Sequence, residues 1–137
     1  MHCAGLIYDE SFHYLDHLGP FCSLLGWPLI ACEPPIAERA RRYYPDLQVI
    51  EEPFWNLSLS TVVACEPAAL LRSALNAPCL KTLWLPHGHS DKGWKVPYFE
   101  ALEEGEIAFV YGEKMGDCLR QKNSHANAIR IGNFRWD

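Results

Sequence analysis

The feature that most constrains this chain is that its apolar residues come in short runs bounded by turn residues, with amphipathic stretches between them. Runs of this kind suit strands buried on both faces, and the stretches between suit helices that cover those faces. "CAGLIY", "PLIAC", "LQVIE", "STVVACE", "LKTLWLP", "IAFVYG" and "AIRIG" read as strands. "YLDHLGPFCSLLG" reads as a helix ending near Gly26, with Pro20 either in its first turn or kinking it. "EPPIAERARRYYP" reads as a second helix, opened by its prolines and stopped by Pro45. "PAALLRSALN", "VPYFEALEEG" and "EKMGDCLRQKN" complete the helical set. The expected fold is α/β: an open, doubly wound, mostly parallel sheet of about six strands with helices on both faces, Rossmann-like, forming a single domain over 1–137.

Length and composition permit such a core, since 137 residues with 49% hydrophobic content can bury one. A net charge of -5 and the lack of a lysine-rich tail argue against a phosphate-neutralising surface, so no nucleic-acid partner is expected. The six cysteines form no C-x-x-C pair, and several lie in apolar runs, which suggests buried thiols in a reducing compartment. No apolar segment reaches the length of about 20 residues that spans a bilayer. The expected location is the cytoplasm, or the inner face of the membrane as a peripheral protein.

In such sheets ligands sit beyond the carboxyl ends of the strands. The stretch "WLPHGHSDKG", residues 84–93, leaves one such end, and Gly112 and Gly132 follow two others. Three readings of the stretch remain open. As metal ligands, His87, His89 and Asp91 alternate as neighbours on one side of an extended strand would, similar to the HxHxDH stretch of metallo-β-lactamase-fold hydrolases, but Lys92 stands where the last histidine would be. As an acid/base site, His87 beside Gly88 offers a neutral imidazole to a hydroxyl, while Ser90, Lys92 and the backbone near Gly93 receive a phosphate, with His89 as a helper. As a plain strand-end loop, Ser90 or Asp91 caps the following helix.

At these residues the chain resembles the N-terminal half of the CDP-glycerol glycerophosphotransferase family, whose two-domain architecture is known as GT-B. "LWLPHGHSDKG" is similar to the family's Q-T-W-H-G-T-P-L-K-x-x-G, with His87, Gly88, Lys92 and Gly93 on its His, Gly, Lys and Gly. "IGNFRWD" is similar to its G-x-P-R-x-D, matched by Gly132, Arg135 and Asp137, with Phe134 in place of proline. The resemblance spans roughly the last 60 residues and elsewhere holds at the level of fold. It implies that His87 acts as base on an acceptor hydroxyl, which attacks the β-phosphate of a CDP-activated alcohol and releases CMP. It also implies a hinge over 132–137, and a donor held by a missing or separate C-terminal domain. No cofactor and no metal are implied. A fragment, a split-gene subunit and a remnant that keeps only the fold are the alternatives; the remnant would act as an interaction domain, as a homodimer or with a partner chain.

Other residues carry weaker expectations. His17, early in the first helix, is a candidate for the same cleft. His2, His13 and His125 read as surface residues, Asp9 and Glu10 as surface acids, and the "ALEEGE" charges as a solvated helix end. Arg39, Arg41 and Arg42 could hold a phosphate but fit a solvated basic helix face better. Trp27, Trp55, Trp84 and Trp94 suit core or interface anchoring.

Overall fold

The structure is a computed structural model that describes residues 3–53, 61–87 and 98–132. Seven strands form one sheet: β1 (Ala4–Ile7), β2 (Leu29–Ala31), β3 (Val49–Glu51), β4 (Thr61–Ala64), β5 (Lys81–Trp84), β6 (Ile107–Val110) and β7 (Asn127–Arg130). Their order is β3-β2-β1-β4-β5-β6-β7, and every pairing is parallel. The chain builds outward from β1 in one direction, then returns to β4 and builds in the other. This is the doubly wound, Rossmann-like arrangement, in which each of the seven apolar runs contributes one strand, and its switch point lies between β1 and β4.

Adjacent residues on each strand serve opposite layers. Ile7, Leu29, Val63 and Leu85 pack with Leu15, Leu18 and Phe21 of α1 (Phe12–Leu25) and Ile36 of α2 (Pro34–Tyr43). Leu6, Ile30 and Val62 pack on the other face with Leu71 and Leu75 of α3 (Ala68–Leu75). Farther along that face, Trp84 and Val110 meet Phe99 of α4 (Tyr98–Ala101) and Met115 and Leu119 of α5 (Glu113–Lys122). β1 is buried throughout, whereas β7 at the edge is mostly exposed. No helix among the described residues is long and apolar enough to cross a membrane.

α1 begins at Phe12, two residues earlier than the apolar pattern indicates, and runs unbroken through Pro20. The backbone bond that Pro20 cannot make would end on the carbonyl of Asp16, an exposed residue, so water can satisfy that group. α1 ends at Gly26, whose φ of 66° is the left-handed conformation that glycine adopts freely, and whose N–H reaches the carbonyls of Cys22 and Ser23. α4 is a single turn, shorter than "VPYFEALEEG" suggests. The Asn123 amide donates to the carbonyls of Phe99 and Leu102, at 3.0 and 2.8 Å, and so satisfies groups that a longer helix would have used.

Glu106, read as part of a solvated helix end, is instead buried. Its carboxylate accepts the N–H of Ala68 at 2.9 Å, the N–H of Glu103 at 3.0 Å and the Thr82 hydroxyl, tying α3, β5 and the turn before β6 together. The thiols also depart from expectation. All six are free, but only Cys22 and Cys65 are buried; Cys3, Cys32 and Cys118 are half-buried and Cys79 is exposed. Burial pushes Cys22 up to about 12 and Cys32 up to about 11, so neither is a thiolate near neutrality.

α1 and α2 approach closely at Gly19, where an added Cβ would lie 2.5 Å from the Tyr44 ring. Gly19→Ala is therefore expected to destabilise the protein by about 1–3 kcal/mol. Chemical denaturation checks this, with the cost shrinking in a Tyr44→Leu background; an unchanged midpoint for Gly19→Ala alone would show that the ring moves aside freely.

Candidate active site at the carboxyl ends of the strands

The segments leaving β1, β4 and β5 converge at the switch point. Tyr8 and Asp9 follow β1, His13 and Tyr14 lie in the first turn of α1, Cys65 and Glu66 follow β4, and His87 is the third residue after β5. Tyr98 opens α4. The His87 ring lies 5.0 Å from Tyr14, 5.4 Å from His13 and 5.7 Å from Tyr98, centroid to centroid, each in an edge-on arrangement. Tyr14 donates its phenolic proton to Glu66 Oε1 at 3.3 Å. An imidazole, a carboxylate and several phenols thus lie together at the switch point, where sheets of this kind form their ligand crevice.

Their surroundings set their protonation. Burial lowers the His87 pKa, the neighbouring His13 lowers it further, and the Cys65 carbonyl pulls weakly the other way. His87 is therefore neutral near pH 7. Its Nδ1 is enclosed and has no hydrogen-bond partner among the described residues; the Cys65 carbonyl is already engaged by the Trp84 indole N–H at 3.1 Å. Glu66 moves the opposite way: burial first, then Asp9, raise its pKa, against hydrogen bonds from Tyr14 and Tyr8. Burial and the Glu66 charge push Tyr8 up to about 12, and the same causes, in the same order, push Tyr14 higher still. Both phenols are donors at any physiological pH.

His17 is buried, and its Nδ1 lies 3.2 Å from the Tyr111 hydroxyl, which sits at the end of β6 and donates to the Pro86 carbonyl at 2.6 Å. Because the single phenolic proton goes to Pro86, the imidazole Nδ1–H must donate to the Tyr111 oxygen. His17 supports the residue before His87 from behind.

Gly88, His89, Ser90, Asp91, Lys92 and Gly93 lie outside the described residues, as do Trp55, Trp94, Arg135 and Asp137. Gly132 follows β7 with φ 72°, a left-handed turn at the start of the expected hinge. Gly112 precedes α5 in extended backbone that any residue adopts. Trp84 is buried, with its ring edge-on to Phe99 at 5.6 Å, and Trp27 is half-buried against Phe21. His125 is exposed, as expected. Among the described residues no group of three or more His, Cys, Asp or Glu is arranged to hold a metal ion.

Sequence reasoning missed Tyr14, Glu66 and Tyr98; His13, read as a surface residue, is exposed and still has its ring near His87, and Asp9, read as a surface acid, is half-buried. Tyr8–Asp9 and Glu66 each follow a strand directly, so the strand-end rule that singled out His87 also points to them once β1 and β4 are known to be neighbours. Asp9 is also local scaffolding, since its Oδ1 accepts the Ser11 N–H at 3.1 Å just before α1.

No family model matches the chain, and no match is found among curated proteins or solved structures.

The raised Glu66 pKa has a measurable consequence. Its ionised form costs more in the folded than in the unfolded protein, so stability falls as pH rises through the carboxylate range, from about 4.3 up to the folded value. Glu66→Gln keeps an acceptor for Tyr14 and removes the charge. The variant is expected to melt higher than the parent at about pH 8, with the gain disappearing near pH 4. A gain independent of pH, or a loss at pH 8, would contradict this.

Proposed function

We propose that this domain is the acceptor-side half of a transferase of the CDP-glycerol glycerophosphotransferase type, and that His87 is its general base. The observation that supports this reading best is a neutral imidazole beside the switch-point crevice, among groups suited to hydroxyl compounds. A carboxylate accepts from an alcohol, and phenols donate to one; Glu66, Tyr8 and Tyr14 are the groups proposed to orient the acceptor.

In the proposed step the acceptor oxygen attacks the β-phosphorus of a CDP-activated alcohol. The acceptor O–P bond forms, the bond from the β-phosphorus to the bridging oxygen breaks, the hydroxyl proton passes to His87, and CMP departs. Asp9 and Glu66 would repel a phosphate, so the cationic Lys92 is the proposed counter-charge, with Ser90 and the backbone around Gly93 as donors. The donor is proposed to be held by a further domain, joined through the segment containing Gly132, Arg135 and Asp137 or carried by a partner chain. The proposed place of action is the cytoplasm or the inner membrane face.

The test is release of CMP from CDP-glycerol by the natively expressed protein, isolated with whatever domain or chain accompanies it. His87→Ala is expected to lower the rate by about 10²–10⁴-fold while circular dichroism stays unchanged. A rate within about threefold of the parent would remove His87 from the chemistry.

A further inference from the structure

The three arginines of α2 look alike in sequence but differ in their engagements. Arg41 Nη1 is 3.0 Å from Glu51 Oε2 on β3. Arg39 instead lies over the Phe12 ring, 4.0 Å from its centroid, and Arg42 is 5.9 Å from the Tyr43 ring. Neither makes an ion pair among the described residues. That is notable for Arg42, because Glu38 is four residues before it, the spacing at which helical ion pairs form. With Phe12, Pro35, Glu38 and Tyr43 these two arginines line a groove of about 220 Å³ between the start of α1 and the outer face of α2.

Two guanidinium groups against one carboxylate make this groove cationic; Arg39 lies against the Phe12 ring, Arg42 stands near Tyr43, and neither is held by an acid among the described residues. A guanidinium resting on an aromatic face keeps its edge N–H donors available in a planar fork, the geometry that matches phosphate oxygens. Tyr43 is 63% exposed, which leaves it open to a ligand's flat or apolar body. The groove also adjoins the crevice: Phe12 lines it, and the next residue, His13, has its ring 5.4 Å from His87. Asp9 and Glu66 stand on the crevice side, so the first turn of α1 separates those acids from the arginines of the groove.

We infer that the α1–α2 groove binds the phosphoryl group of a small phosphorylated molecule, with Arg39 and Arg42 as the clamp. The inference stands apart from the role of His87. Two sources share that chemistry, a nucleotide and a phosphorylated alcohol.

The experiment is titration of the 137-residue chain with CMP, glycerol 3-phosphate and inorganic phosphate, followed by calorimetry or amide chemical shifts. At least one of the two organic phosphates is expected to saturate at up to about 10 mM, with shifts centred on α2. The double variant Arg39→Ala/Arg42→Ala should weaken that binding by on the order of tenfold or more, since each charge-assisted contact is worth about that factor. Arg120→Ala, which removes a cation paired with Asp117 on α5, should leave it unchanged. Tighter binding of CMP, with the difference lost in Tyr43→Ala, identifies a nucleotide; equal binding of CMP and glycerol 3-phosphate shows that the phosphoryl end alone is read. Failure of both organic phosphates to saturate, or equal binding by parent and double variant, overturns the inference. Because both arginines are exposed, unchanged thermal melts will show that the double variant is folded.

Discussion

The hydroxyl of Tyr111 holds the exit of β5 in place. Its proton goes to the Pro86 carbonyl and its oxygen receives the His17 imidazole, so a residue at the end of β6, one in α1 and one beyond β5 are fixed to each other in a buried setting. The Trp84 indole reaches the Cys65 carbonyl, and the Leu85 N–H reaches the Ala64 carbonyl at 2.8 Å, which extend the tie to β4. An unmade bond in such a place costs about 1–3 kcal/mol. His87 is the next residue along the chain, and its position follows from this lattice.

Once held there, His87 takes its protonation from its neighbours. The same partial burial that lowers the imidazole raises the Glu66 carboxyl, because burial penalises whichever form carries charge. Both shifts favour the uncharged forms, imidazole and carboxylic acid, a pattern found where proton transfer is done but also in structural networks. Tyr8 and Tyr14 stay protonated and supply donors. The charges that the proposals call on for phosphate lie elsewhere: Lys92, chosen from sequence, and Arg39 and Arg42, chosen from the groove they line.

The fold was readable because a parallel sheet covered on both faces leaves near-continuous apolar strands, as "AGLI" and "TVVA" are. Its boundaries were less readable. Pro20 is tolerated inside α1 through an exposed carbonyl, and α4 is cut short by Asn123, a residue of the next helix's end, neither of which local pattern reveals. At the proposed site, His87 stood out by its place at a strand end beside Gly88 and by the motif it resembles. Its companions were not, because Tyr14 and Glu66 are 52 residues apart and meet only when β4 returns to lie beside β1. His17 drew attention by its place in α1, but its contact with Tyr111, 94 residues away, is one that local pattern does not reveal.

The most direct test of the account is a nuclear magnetic resonance pH titration of the His87 ring in the isolated chain, with and without His13→Ala. A neutral base held by burial and a neighbouring imidazole predicts a midpoint below the ordinary value of about 6.5, and an upward move when His13 is removed. A midpoint at or above about 6.5, unmoved when His13 is removed, would contradict the lowering by burial and His13, and one above about 8 would leave the ring mostly charged at pH 7 and contradict its assignment as the base.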